Sequence, residues 1–274
     1  MAGEHRAPPP PHRFRRFPLG VSVQIQSIER AAAVLRLLTG HTRPRAVAEL
    51  AAELQLPKGT VYGILRTLQT VGFVEQDTES RRYQLGAALL HIGSSYLNGS
   101  ELRRRAVGAA HTLATRSGES VRIGILHEAV VLIVHHVPGP DEQLRTPEVG
   151  SLMPLHATAL GKALLAHHPN LAAEIVPAPL AGCTTATITA PDRLTPELTG
   201  ISERGWASDL GEFLPGVASI AAPIEAGHSA VLGAVAVSGP IGRICQDGSP
   251  RAALVGYVME SARTNSRLLG GRSW

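Results

Sequence analysis

The stretch LPKGTVYGILRTLQTVGFVEQ, residues 56–76, decides how the chain is read. Pro57 suits the first turn of a helix, where its missing N–H has no intrahelical partner. Val61, Ile64, Leu65 and Leu68 then recur at helical spacing and predict one buried stripe. After Gly72 the period changes to alternation: Phe73-Val74, the polar stretch Asp77-Thr78-Glu79-Ser80, then Tyr83 and Leu85. That is a small hairpin directly behind a helix. Upstream, Ile28, Ala31, Leu35 and Leu38 mark a helix opening after Ser27 and closing at Gly40, and Val47, Leu50, Ala51 and Leu54 mark a short second one. The break at Gln55-Leu56-Pro57 leaves almost no room between the second and third helices. Three helices with so tight a turn, followed by a hairpin, predict a winged helix-turn-helix.

On a helical wheel Lys58, Tyr62, Arg66 and Gln69 gather opposite the apolar stripe, with Gly59 and Gly63 beside them. Each glycine lowers helix stability by up to about 1 kcal/mol but lets a backbone approach a groove. In such a motif the first residues of the third helix meet base edges, which makes Lys58, Thr60 and Tyr62 candidates for base readout and Arg66 a candidate for phosphate. Arg81 and Arg82 stand where a wing reaches the DNA backbone. An exposed polar face is often only solvated; it is the joint presence of short helix, tight turn, polar face and basic wing that points to a duplex.

The rest of the chain bounds the alternatives. Its 274 residues allow two modest domains, and 44% hydrophobic with 18% charged residues is ordinary for a packed protein. Aromatic residues are 4%, too few for a platform that stacks single-stranded bases. The net charge of +4 counts for little, because Arg6, Arg13, Arg15 and Arg16 face only Glu4 in the first residues. Cys183 and Cys245 lie far apart, without metal-ligand spacing or a disulfide framework. With no run of about 18 apolar residues and no apolar signal region, the expectation is a cytoplasmic protein without membrane contact.

Residues 1–24, with Pro8-Pro9-Pro10-Pro11 and scattered arginines, read as a disordered extension or a basic arm for the minor groove. Residues 25–86 are the expected winged domain and 87–100 a linker helix. The run Arg103-Arg104-Arg105 reads as a solvated helix face or a phosphate-contacting patch. From 101 to 268 strand and helix signals alternate, and 269–274 form a tail. Val121, Ile123 and Ile125 predict a half-buried strand, Val130 to Val134 a central one, and Val217 to Ile224 and Val231 to Ser238 two more. His156 to His167, Pro191 to Arg204 and Ala252 to Leu268 predict helices. The fold class is α+β, with one mainly antiparallel sheet in the second domain.

An enzyme needs a nucleophile with its base, paired carboxylates or a cofactor loop, and none stands out, so no catalytic residue and no cofactor is assigned. Gly161-Lys162 lacks the upstream glycine of a phosphate-binding loop and has Ala163 in place of the magnesium-binding hydroxyl, which leaves helix packing at Gly161 and a surface Lys162. The pairs His135-His136 and His167-His168 diverge and make no natural chelate. No metal ligand is assigned, though a zinc site assembled from distant residues stays open.

Ile25 to Leu85, headed by Gln26-Ser27-Ile28-Glu29-Arg30 and including the stretch quoted first, resembles the IclR family of bacterial regulators. HATALGKALLA from His156, SERGWASDLGEF from Ser202, GVASIAAPI from Gly216 and GAVAVSGPIGR from Gly233 are similar to that family's effector-domain blocks, in the same order. The segment Tyr62 to Thr67, with EVGSLMPLH from Glu148, looks closest to the glycerol-operon regulators of actinomycetes. The resemblance implies a one-component regulator of double-stranded operator DNA, a dimerising linker helix, a GAF-like effector domain, homodimers or homotetramers, and a small polar or anionic effector such as a glycerol-derived phosphate. It places the ligand loop on Thr158, Ala159, Leu160 and Gly161, and the pocket wall on Asp209, Val217, Ser219 and Ser238. Ala236 stands where relatives often have a hydroxyl, Leu210-Gly211 interrupts an acidic cluster, and Ser80-Arg81 lacks the frequent wing glycine. Two other readings stay open: a small-molecule enzyme fused to a DNA-binding module, and an architectural DNA-binding protein without sequence preference.

Overall fold

The computed structural model describes residues 25–39, 43–99, 101–140, 149–226 and 230–270, and its contacts cluster into two compact units that part between Gly99 and Ser100. The expected N-terminal extension and Glu148 lie outside the described residues.

The first unit runs α1 (Gln26–Thr39), α2 (Val47–Leu54), α3 (Lys58–Thr70), β1 (Val74–Gln76), β2 (Tyr83–Leu85) and α4 (Ala88–Gly99). Gln55 ends α2 in a left-handed conformation, φ 55°, and its N–H donates to Ala51 and Ala52 carbonyls. Pro57 follows in extended conformation and caps α3 one residue before the helix; its carbonyl accepts from Thr60 and Val61. The abrupt break therefore has a backbone cause: α2 is closed by one unusual φ and α3 is opened by a residue that cannot donate. Val61, Leu65 and Leu68 of α3 are buried against Val34 and Leu38 of α1, Leu50 and Ala51 of α2, and Val74 and Tyr83 of the hairpin. Arg45 bridges to Tyr83, each N–H donating to the other's carbonyl at 2.8 and 2.7 Å, so the chain two residues before α2 extends the wing sheet.

The second unit runs α5 (Glu101–Ser117), β3 (Ser120–His127), β4 (Val130–Val137), β5 (Leu152–Pro154), α6 (Ala159–Leu165), α7 (Pro169–Ile175), α8 (Pro191–Arg204), β6 (Ala207–Leu210), β7 (Val217–Ala226), β8 (Ala230–Pro240), α9 (Ile241–Ile244), β9 (Cys245–Gln246), β10 (Ser249–Pro250) and α10 (Ala252–Leu268). Six strands form one antiparallel sheet in the order β5-β4-β3-β8-β7-β6. On one face α5 lays Leu102, Ala106, Ala110 and Leu113, and α10 packs beside it. On the other, α6 lies against Val131, Ile133, Ala221, Ala234 and Ala236, backed by Leu194, Leu198 and Ile201 of α8. Within the arginine run Arg104 and Arg105 are exposed and Arg105 pairs with Glu101, so those two lie on a solvated helix face.

Three expectations are corrected. The strand at Val121, Ile123 and Ile125 is not half-buried: from Ser120 to Gly124 every residue is buried, because helices cover both faces of the sheet. The helix expected at His156 begins at Ala159 and ends at Leu165; Thr158 caps it by accepting the Gly161 N–H at 3.0 Å. Lys162 is no surface residue. It is 1% exposed, with Nζ 2.5 Å from Glu212 Oε1 and 3.6 Å from Glu197 Oε1. Helix packing at Gly161 does hold: a Cβ there would lie 2.4 Å from the Leu155 carbonyl oxygen.

Gly161→Ala is therefore expected to lower stability by about 1–3 kcal/mol in urea or thermal unfolding, the usual cost of overpacking. Gly256→Ala in α10, where a Cβ meets nothing within 4 Å, is expected to raise it by up to about 1 kcal/mol. Equal effects would show that α6 does not rest on Leu155 as described.

Candidate functional site

The first candidate surface is the outer side of α3. Lys58, Gly59, Tyr62, Gly63, Arg66 and Gln69 are all exposed, Thr60 is half-buried, and Tyr62 keeps 48% of its surface in solvent. A Cβ at Gly59 or Gly63 would meet nothing within 4 Å, so this side of the helix is open. At the wing, Asp77 accepts the Ser80 N–H at 2.7 Å and its carbonyl accepts the Arg81 N–H at 3.0 Å. These bonds hold Arg81 at φ 58°, the left-handed conformation that a glycine adopts more cheaply. Arg81 is exposed at the turn.

Arg82 is placed differently. Its NH1 donates to Glu49 Oε1 at 3.0 Å and to the Pro44 carbonyl at 3.2 Å. Glu49 also accepts from the Ala46 N–H at 3.3 Å and from Arg45 Nε at 3.1 Å; the Ala46 N–H first, then Arg45 and the Arg82 charge, hold its carboxyl below the usual range. Arg82 thus fastens the wing to the start of α2, whereas Arg81 points into solvent.

The second candidate is a cavity in the C-terminal unit. It has about 460 Å³ of space between its lining atoms, counting the open mouth, and is walled by Thr158, Ala159 and Leu160 at the start of α6, by Asp209, Phe213, Leu214, Val217, Ser219, Ala236 and Ser238, and by Arg122 and Met153. Of the residues assigned from sequence, Gly161 alone does not line it. Its N–H is taken by the Thr158 hydroxyl, which in turn donates to the Pro154 carbonyl at 2.8 Å. Sheet register explains the polar floor: Ser238 pairs with Ser120 and Ser219, and Ser219 with Asp209, so one row across four strands carries hydroxyls and a carboxyl. The Ser219 hydroxyl donates to Ser238 Oγ at 3.0 Å.

Asp209 accepts the Glu212 N–H at 2.7 Å and the Phe213 N–H at 3.4 Å. Gly211, at φ 78°, makes the turn between them, so the residues that interrupt the acidic cluster bring its members together. Burial pushes the Asp209 carboxyl up from 3.8 to about 7; the two backbone N–H groups and Lys162 offset only part of that. Thr184 Oγ1 donates to the Gly211 carbonyl and Thr187 Oγ1 to that of Glu212, both at 2.6 Å, pinning the turn from outside.

Sequence reasoning missed Arg122, Met153, Phe213 and Leu214. Arg122 was hidden by alternation: with Val121 and Ile123 turned inward, it falls on the face expected to meet water. The signal that exposes it is the segment after Thr158, apolar from Ala159 to Leu165 but for Lys162, a helix that needs a second sheet face to cover.

His135 and His136 do point apart. His135 lies against His111 of α5, ring centroids 5.9 Å apart, and burial, then the Arg103 charge, push it down to about 4 and keep it neutral. His136 Nε2 is 3.4 Å from Arg122 NH2, on the cavity side. Among the described residues no three His, Cys, Asp or Glu side chains gather where they could hold a metal ion.

Residues 27–78 match the IclR helix-turn-helix domain, and residues 94–267 match the family described as bacterial transcriptional regulator IclR C-terminal. A glycerol operon regulatory protein of Streptomyces coelicolor is 48% identical over 246 residues, covering 90% of this chain and 97% of that protein. The transcriptional repressor IclR of Escherichia coli is 31% identical over 230 residues, covering 82% and 83% of the two chains. The crystal structure of an IclR transcriptional regulator from Alicyclobacillus acidocaldarius superposes with a TM-score of 0.78 at 27% identity, covering 90% of this chain and all of that one.

The Asp209 carboxyl makes a signed prediction. Its folded value lies above the 3.8 of a free side chain, so the native state holds the proton after the unfolded chain has lost it. Its contribution is complete below about pH 4 and lost as pH rises through about 7. Wild type minus Asp209→Asn, measured by urea unfolding across that window, should show stability falling with pH; a flat difference would mean the carboxyl is not buried in solution.

Proposed function

The chain belongs to the IclR family of bacterial transcriptional regulators, and on that premise we propose that the exposed side of α3 reads operator DNA while a small polar or anionic metabolite in the cavity switches the protein. The observation that carries the reading is the pairing, in one chain, of an open basic helix face with a cavity whose wall is polar at chosen points and apolar elsewhere. Lys58, Thr60 and Tyr62 meet base edges, Gly59 and Gly63 let the backbone close on the groove, and Arg66 and Arg81 take phosphate. Arg82 serves by holding the wing in place. The protein acts as a homodimer or homotetramer, setting two recognition helices in successive major grooves of a pseudo-palindromic site.

Similarity to the Streptomyces coelicolor protein favours a glycerol-derived phosphate as effector. The ligand acts by binding the DNA-competent and DNA-incompetent arrangements unequally, with a coupling of about 1–3 kcal/mol, and operator DNA weakens ligand affinity by the same factor. The relatives are regulators, and no catalytic role is proposed. No helix among the described residues is long and apolar enough to cross a membrane, and the protein works where chromosomal DNA is, in the cytoplasm.

The test uses full-length protein on a duplex selected from a random pool. Arg66→Ala is expected to weaken binding on every sequence and reduce the salt slope by about one unit, while Lys58→Ala relaxes base preference at one position. Both variants should melt like wild type, because both side chains are exposed. Asp209→Ala and Ser219→Ala should still bind DNA but no longer release it on adding sn-glycerol 3-phosphate. Wild-type affinity in the α3 variants would refute the DNA face; an undiminished response in the cavity variants would refute the effector site.

A further inference from the structure

Tyr83 is built into the core of the first unit, with 1% of its surface exposed, yet it carries a polar group that the core does not use. Its ring belongs to the cluster of Val61, Leu65 and Leu68 beneath α3. Its backbone is held on both sides of β2, by pairing with Gln76 of β1 and by the two hydrogen bonds exchanged with Arg45. A phenylalanine would fill the same space. The hydroxyl has no hydrogen-bond partner among the described residues, and it is not one of the enclosed polar atoms that lack a partner, so the little surface that Tyr83 keeps includes Oη.

The groups that this hydroxyl feels are Tyr62 and Arg66 of α3 and Arg81 of the wing. Tyr62 and Arg66 each follow a buried residue, Val61 and Leu65, and so stand at the border between the apolar stripe and the open face. Arg81 is presented by a fixed turn, in which Gln76 Nε2 donates to its carbonyl at 3.0 Å and its own N–H donates to the Asp77 carbonyl. Arg66 and Arg81 are exposed, and neither is in one of the ion pairs that occupy Arg45, Arg82 and Arg105. Burial, then Tyr62, push the phenol above its usual 10.0, and the two arginine charges offset only part of this, so at neutral pH it keeps its proton and can donate. A neutral donor flanked by two cations suits one anionic oxygen.

We propose that the Tyr83 hydroxyl donates to one operator phosphate that Arg66 and Arg81 also contact, so that the recognition helix and the wing grip the same point of the DNA backbone. The assignment rests on the exposed side of α3 being the DNA surface. Charge and position come from different residues. Arg66 and Arg81 supply charge from long side chains that lose rotamer freedom on binding. The Tyr83 ring is already fixed by packing, so its hydroxyl is the rigid point against which the phosphate is placed. A phosphate contact of this kind sets the register and depth of α3 in the groove and carries no base preference.

Tyr83→Phe removes the hydroxyl and keeps the packing, and its effect is read with full-length protein on the duplex selected from a random pool. The variant should melt like wild type and bind on the order of 10-fold more weakly at each half-site, the scale of a hydrogen bond to a charged group. It should keep its base preference and its salt slope, because no charge is lost, whereas in Arg66→Ala the slope falls. Duplexes with a single methylphosphonate linkage, scanned along the site, locate the phosphate: one linkage should weaken wild type strongly and Tyr83→Phe, Arg66→Ala and Arg81→Ala distinctly less. Wild-type affinity in Tyr83→Phe, or a loss at that linkage as large in Tyr83→Phe as in wild type, overturns the role of Tyr83; with Arg66→Ala still impaired, the DNA face stands. Wild-type affinity in Tyr83→Phe and Arg66→Ala alike overturns the DNA face as well. If Tyr83→Phe does not fold, Arg66→Ala and Arg81→Ala carry the test, and coupling of the two to different linkages overturns the shared phosphate.

Discussion

The C-terminal unit depends on a charge pair that is costly to bury, Lys162 Nζ against Glu212 Oε1 at 2.5 Å. Taking both ions out of water costs several kcal/mol each, and replacing such a pair by apolar residues is often neutral or better for stability. Its effect here is on position. Lys162 lies in α6, the helix whose start walls the cavity, and Glu212 follows the turn that carries Asp209. The pair ties these walls together, and Glu197 of α8, 3.6 Å from Nζ, adds a third element. Removing one partner would strand the other in the interior, a loss of about 3–5 kcal/mol.

Behind the cavity the pair also sets a field. Asp209 feels Glu212 as a like charge and Lys162 as an opposite one, and neither matches the effect of burial, so its carboxyl titrates close to neutrality.

The sequence made some of this legible, and the reasons are local. The face of α3 followed from a period of 3.6 over thirteen residues, and the break before it from Gln55-Leu56-Pro57, because both are written within a few neighbours. The wing followed from the change of period after Gly72. Most of the residues that line the cavity came from resemblance, since β3, β6, β7 and β8 are brought side by side only by the sheet. Arg122 was misplaced because alternation says which residues share a face but not what covers the other one. Lys162 was misplaced because its partner lies fifty residues along the chain, beyond any local pattern. The start of α6 was read early because His156 and Ala157 continue its apolar run, while the residue that ends the extended backbone is Thr158, through a cap.

Glycines separate what the fold requires from what the proposed DNA contact requires. At Gly161 a side chain would collide with the Leu155 backbone, and at Gly239 with the Glu119 carboxylate that accepts both Nε and NH2 of Arg243. Packing alone accounts for glycine at both. At Gly59 and Gly63 a Cβ would meet nothing, and both residues have ordinary helical backbone. There the chain forgoes up to about 1 kcal/mol of helix stability at each position with no return inside the domain. A return outside it, from a surface that must come closer to the α3 backbone than a methyl group allows, is what a duplex groove would supply.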